Sequence, residues 1–253
     1  MNDTNKSSVF RGAFILGDDM RYSWKRHLLH LFFPTRCPIC GCIIGAMDRF
    51  CTDCADKLNV YDDCLSIEGA ESFTAAFRYD DTSKPAIFLL KRGVDGNAAY
   101  SLGGALADRI KADGIAERID VIVPAPMHRK DVKRRGFNQA ALIAREVGRE
   151  LGIPVDEKAV SKTRLTQAQK QLDRLSRTRN LRNAFSADPS ALKNKRVLLI
   201  DDICTTGSTL REITSVIMKN GAASVRCACC CKTYRNDSKG TSERVSQDAQ
   251  PKT

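Results

Sequence analysis

Apolar and polar positions recur along this chain with two periods, and the changes of period mark its elements. Residues 1–30 carry little regular pattern, although Trp24 to Phe33 fits a short amphipathic turn or helix. Phe73, Ala75, Phe77 and Tyr79 alternate with their neighbours, which predicts a half-buried strand over Ser72–Tyr79. The apolar run Ala86–Leu90 predicts the end of a short helix before Lys91-Arg92-Gly93, and Ala99, Leu102, Leu106 and Ile110 return at helical spacing. Val121-Ile122-Val123-Pro124 reads as a buried strand stopped by its proline. Ala140–Leu151 is again helical, with Gly152 and Pro154 in the order expected after a helix end. Arg196–Ile200 predicts a strand, Thr209–Asn220 a helix with Gly221 just past its end, and Val225–Cys231 a last strand. Strands alternating with helices from about residue 72 to 233 imply a parallel, doubly wound α/β sheet with helices on both faces. Residues 236–253 are polar, charged and aperiodic, and are expected to form a disordered tail.

Composition narrows the class. Apolar residues make up 42% and charged residues 28%, which excludes wholesale disorder. No stretch approaches the roughly 18–20 apolar residues of a membrane span. Residues 1–36 show neither the compact apolar core nor the cleavage site of a signal peptide. A soluble, cytoplasmic protein with no membrane span is expected.

The net charge of +11 is concentrated. His128–Arg149 holds seven basic and two acidic side chains, and Lys158–Arg182 holds eight and one, so these two stretches account for the whole excess. Such a field favours a polyanion, whether nucleic acid, phospholipid or a phosphorylated metabolite.

Eleven cysteines without an export signal argue for metal ligation or burial rather than a disulfide scaffold. Six fall between Cys37 and Cys64, five between Cys204 and Cys231. Cys37-Pro-Ile-Cys40 and Cys51-Thr-Asp-Cys54 form Cys-x₂-Cys-x₁₀-Cys-x₂-Cys, two tight turns able to aim four thiolates at one Zn²⁺. Four protein ligands leave no open position, so the ion would be structural, and it would supply the folding energy of a small zinc ribbon over residues 31–66. Cys42 and Cys64 have no partner at similar spacing. Cys227, Cys229, Cys230 and Cys231 lie in the last predicted strand and are expected to be buried.

Val197-Leu198-Leu199-Ile200-Asp201-Asp202-Ile203-Cys204-Thr205-Thr206-Gly207-Ser208-Thr209 is the most informative run. A central strand ends in two carboxylates, where open α/β sheets bind ligands, and a Thr/Gly/Ser turn then opens a helix. Amides at a helix N-terminus, with hydroxyls around them, suit a phosphate. The acids would repel that phosphate, so they should face sugar hydroxyls or a cation. A sugar phosphate meets both demands. Cys204, inside the turn, reads as a small apolar filler or as a thiol nucleophile. Neither a P-loop nor a dinucleotide-binding glycine motif is present.

This run resembles the 5-phosphoribosyl-1-pyrophosphate (PRPP) signature of type I phosphoribosyltransferases. Val123-Pro124-Ala125-Pro126-Met127-His128 with Arg134-Arg135-Gly136-Phe137-Asn138-Gln139-Ala140 is similar to a loop of the ComF-type competence family. Thr163-Arg164-x-Thr166-Gln167, Gln171-Leu172, Arg177, Asn180-Leu181 and Ala184-Phe185 are similar to that family's flexible loop. The resemblance implies a type I phosphoribosyltransferase-like domain over residues 72–233, in which Asp201 and Asp202 hold the ribose hydroxyls. It places the 5-phosphate on Thr205, Thr206, Gly207, Ser208 and Thr209, and the pyrophosphate on Arg134, Arg135 and Gly136. Lys91, in a Leu-Lys-Arg-Gly turn similar to the family's, joins the anion site. Mg²⁺ accompanies PRPP, and Arg164 and Gln167 act catalytically from a mobile loop.

Three functions follow. The first is a ComF-type protein that binds PRPP with Mg²⁺, is linked to uptake of transforming DNA, and works with single-stranded DNA or other competence proteins. The second is a metabolic phosphoribosyltransferase with an unidentified base or amine as acceptor. The third is an inactive single-stranded DNA-binding module on the same fold.

Overall fold

A computed structural model describes residues 18–93, 96–163 and 184–234. The expected tail, most of residues 1–30, and the loop carrying Arg164 and Gln167 lie outside the described residues. The chain runs α1 (Asp18–Phe32), α2 (Thr52–Lys57), β1 (Ser72–Arg78), α3 (Lys84–Arg92) and α4 (Gly96–Ala112). It continues through β2 (Val121–Pro124), α5 (Arg129–Arg135), α6 (Gln139–Leu151), β3 (Val160–Lys162) and β4 (Phe185–Ala187). It closes with α7 (Pro189–Leu192), β5 (Arg196–Cys204), α8 (Ser208–Lys219) and β6 (Ser224–Lys232).

Four parallel strands form the main sheet in the order β1-β6-β5-β2. Their residues alternate between two cores, as a pleated strand requires. Leu198, Ile200, Ala228 and Cys230 pack with α4 and α6 on one face. Val197, Leu199, Cys227 and Cys229 pack with Leu210, Ile213 and Ile217 of α8 on the other. Each large side chain buried in this way contributes about 1.5–3 kcal/mol. The doubly wound parallel sheet expected from the sequence is the observed architecture.

Three local readings change. Ser72–Arg78 is not half-buried: Thr74, Ala75, Ala76 and Phe77 are all buried, because helices and the cysteine segment cover both faces of this edge strand. β5 does not stop at Ile200. Its pairing continues through Asp201↔Cys229, Ile203↔Cys231 and Cys204↔Lys232, so both acids are strand residues. The sequence pattern also gave no sign of α5, a seven-residue helix of RKDVKRR composition. It is fixed by its ends: His128 Nδ1 accepts from the Lys130 amide (3.2 Å), and Gly136 adopts φ 90°.

The cysteine segment docks on α4. Asn97 donates to the Arg36 carbonyl (2.7 Å), Tyr100 to that of Met47 (2.8 Å) and Ser101 to that of Arg49 (2.6 Å). Arg49, 5% exposed, lies across Gly104, where an added Cβ would fall 2.3 Å from its Nε. It pairs with Asp108 and, at 3.2 Å, with Glu150.

Candidate functional site

The C-terminal ends of the parallel strands carry a cleft of about 210 Å³, lined by Lys91 and residues 201–210. Its floor is the end of β5. The Asp202 amide donates to Asp201 Oδ1 (2.8 Å) and the Ile203 amide to Asp202 Oδ1 (2.7 Å). Burial pushes the Asp201 carboxyl well above the usual carboxylate range, and the neighbouring Asp202 charge adds to this. Lys91 Nζ, from the last turn of α3, stands 3.6 Å from Asp202 Oδ2.

Gly207 forms the N-cap of α8 at φ 75° and supplies no side chain to its first amides. The Thr206 hydroxyl lies 2.8 Å from that of Ser208. The result is a helix N-terminus ringed by hydroxyls beside two carboxylates: an anion site next to a hydroxyl or cation site. Asp201 and Asp202 offer the hard oxygen donors that suit Mg²⁺. Cys204 is 2% exposed and packs with Cys227 and Cys229, as a filler would.

Two lysines near this cleft, outside its lining, were not legible in the sequence as neighbours of the site. Lys232 Nζ donates to the carbonyls of Thr205 (2.9 Å) and Thr233 (2.6 Å), tying the turn to the end of β6. Lys162 leaves the β3–β4 hairpin with its ammonium 5.8 Å from the Phe185 ring centre. Burial lowers its pKa, while the carboxylates of Asp131 and Asp201 act to raise it. The only sequence signal for Lys162 was its place at the start of a basic stretch, and Lys232 had none.

Arg134, Arg135 and Gly136 do not line the cleft. Both arginines are exposed on α5, and Arg134 pairs with Asp131 (2.9 Å). The α5 loop nevertheless meets the Lys91 turn: a Cβ at Gly93, φ 66°, would fall 2.1 Å from Phe137 Cε1. Gly93→Ala therefore has to displace the ring and hold a left-handed backbone, at a cost of about 1–3 kcal/mol. A denaturation midpoint equal to that of the parent would show that this contact does not hold the two segments together.

The cysteine site is built separately. The sulfurs of Cys37, Cys40, Cys51 and Cys54 all lie within 4.8 Å of one another. Zn–S bonds of about 2.3 Å put tetrahedral sulfurs about 3.8 Å apart, so the cluster fits zinc. The first turn closes through Gly41 N to Cys37 O (2.9 Å) and Cys37 N to Cys42 O (2.8 Å), the second through Ala55 N to Cys51 O (2.9 Å). Cys37 and Cys54 face the interior, and Cys40 is exposed. Cys42, without a role in the spacing pattern, places its sulfur 3.3 Å from that of Cys40, and hydrogen bonds from Cys42 hold the Cys40 thiol down at about 6. Cys64 is exposed and outside the cluster.

Residues 95–249 match the family model described as a phosphoribosyl transferase domain. The chain is 40% identical over 114 residues to DNA utilization protein YhgH of Escherichia coli K12, covering 45% of this chain and 50% of that one. It is 37% identical over 109 residues to competence protein F of Haemophilus influenzae, covering 42% and 48%. Against competence protein ComFC of Bacillus subtilis the identity is 26% over 221 residues, covering 85% of each. The chain spans about half the length of the first of these curated relatives. With a four-cysteine cluster set ahead of a parallel-sheet domain of this kind, the chain belongs to the phosphoribosyl transferase domain family as a ComF-type member.

Proposed function

We propose that this protein binds PRPP with Mg²⁺ in the cleft at the end of β5 and serves the handling of incoming DNA. The observation that carries the PRPP reading is the juxtaposition of the Asp201–Asp202 pair with the hydroxyl-ringed start of α8, under Lys91. Asp201 and Asp202 accept from the ribose hydroxyls. Amides and hydroxyls of Thr205–Thr209 hold the 5-phosphate. Lys91, with Arg134, Arg135 and Gly136 brought over the cleft, meets the pyrophosphate, for which guanidinium forks are well shaped. Mg²⁺, when bound, neutralises pyrophosphate charge. If a phosphoribosyl group is transferred, the acceptor forms a bond to the anomeric carbon as the bond to the pyrophosphate oxygen breaks, and pyrophosphate leaves. Arg164 and Gln167, outside the described residues, are the catalytic side chains of this reading. The names of the relatives, DNA utilization and competence proteins, support the second half of the reading.

Calorimetric titration with PRPP and Mg²⁺ tests the first half. Saturable binding is expected, and no heat at any ratio would overturn it.

A second reading, single-stranded DNA binding, is favoured by the exposed Lys133, Arg134 and Arg135 at the end of α5. Binding to a single-stranded oligonucleotide should weaken roughly tenfold or more between about 50 and 200 mM salt, because released counterions drive it. Affinity that does not change with salt would remove the electrostatic basis for this reading.

A further inference from the structure

α1 is built inside out. Tyr22, Arg26 and His30 face the protein: the Arg26 guanidinium lies 3.6 Å from the Tyr100 ring centre and donates to Asn97 Oδ1 and the Ala46 carbonyl, both at 2.9 Å. The Tyr22 ring sits under Arg149 at 4.1 Å, and His30 Nδ1 accepts from the Thr35 amide at 2.9 Å. Its apolar positions face out. Trp24, Leu28, Leu31 and Phe32 share an arc of about 100° at 3.6 residues per turn. Trp24 is 67% exposed, Leu31 76%, Phe32 74% and Phe33, just beyond the helix, 75%. Six of the ten large apolar side chains exposed among the described residues lie between Trp24 and Phe33.

We propose that this face of α1 is an interfacial anchor that lies on an anionic lipid surface. The charge around it selects that occupant. Lys25 and His27 border the apolar arc and are exposed, Arg36 beyond the helix is exposed while donating to the Gly41 carbonyl (2.9 Å), and no Asp or Glu occurs between Trp24 and Arg36. The surface is a convex helix ending in the apolar corner Phe32-Phe33-Pro34, which sinks into a lipid interface without a complementary groove. At 15 residues the helix is about 22 Å long, short of the ~30 Å hydrocarbon core, so it lies on the bilayer and does not cross it. The PRPP cleft plays no part in this contact.

Trp24 is the only tryptophan of the chain, so its fluorescence reports on this face alone. The zinc-loaded full chain is mixed with vesicles of phosphatidylcholine containing a quarter phosphatidylglycerol, and with vesicles of phosphatidylcholine only. Co-sedimentation and a blue shift of Trp24 emission are expected, both stronger with the anionic lipid. The Leu31→Glu/Phe32→Glu double variant, which changes only exposed side chains, should keep its zinc and its melting temperature but lose vesicle partitioning by about tenfold or more. Three results would overturn the anchor. One is the absence of any shift or sedimentation with either vesicle. Another is sedimentation unchanged in the double variant, which would place the contact on a basic segment elsewhere. The third is a blue shift that grows with protein concentration in the absence of lipid, which would assign the face to a second copy of the chain.

Discussion

Cys37→Ser or Cys54→Ser is expected to abolish zinc binding, from about one ion per chain to none, and to unfold residues 36–60. Structural zinc in small domains is worth about 10–16 kcal/mol in apparent binding free energy. That is comparable to the whole net stability of a typical domain, about 5–15 kcal/mol. The damage should not stay local. Ile44, Phe50, Cys54 and Leu58 belong to the same buried cluster as Phe77, Leu90, Leu102 and Ile122. The Phe50 ring meets that of Phe77 edge-on at 5.9 Å, and Arg49 would leave Asp108 without its partner over α4. Loss of the metal therefore uncovers one face of the phosphoribosyltransferase-like domain, and its melting temperature should fall with the zinc content. Metal analysis of protein purified without chelator, paired with thermal melts, checks both parts. Parent protein without zinc would end the metal assignment. A Cys54→Ser variant that loses zinc yet melts like the parent would end the shared-core account.

Asp201→Asn/Asp202→Asn should weaken PRPP binding by about 10²–10⁴-fold. Each carboxylate that accepts from a ribose hydroxyl is a charged hydrogen-bond partner worth about 1.5–3 kcal/mol. Two such partners amount to about 3–6 kcal/mol, and each 1.4 kcal/mol is tenfold. Stability should move the other way. Asp201 is a carboxyl that burial and the adjacent Asp202 already push toward its neutral form, so an amide removes repulsion at little cost in shape. A variant that binds PRPP hundreds of times more weakly but melts at or above the parent temperature is the expected signature of a binding pair. Equal affinity in parent and variant would remove Asp201 and Asp202 from the site. Lower affinity accompanied by a lower melting temperature would make them structural.

The features legible in the sequence are those whose geometry is local. Two Cys-x-x-Cys turns bring their own sulfurs close, and a helix that starts on Gly207 carries its own ring of amides and hydroxyls wherever it is placed. Four apolar residues before the acid pair announced a buried strand. Its true end could not be read, because Asp201 to Cys204 stay extended only through pairing with Cys229 to Lys232, which arrive nearly thirty residues later. α5 escaped notice for a related reason. A one-face apolar period cannot appear in a helix with Val132 as its single apolar residue, and its two ends, not its face, hold it in place. Lys232 arrives with the last strand, and only the assembled sheet brings its ammonium group onto the Thr205 carbonyl. Cys42 shows the opposite case. It is local and beside Cys40, but a spacing rule that counts pairs has no place for a fifth sulfur.

The docking of the cysteine segment on α4 has a consequence for the order of synthesis. Chains emerge N-terminus first, and domains tend to fold in that order. All four clustered cysteines leave the ribosome before Asn97, Tyr100, Ser101 and Asp108, the residues on which the segment will rest. Until α4 arrives, Phe50 and Leu58 have no surface to cover, and the metal is what can hold the two turns together. A nascent chain made in zinc-starved cells would present that apolar face unfolded while the sheet is still incomplete. Chain arrested after Leu58 but before α4 should therefore be protected from protease by zinc, whereas chain extended past Ala112 should depend on it less.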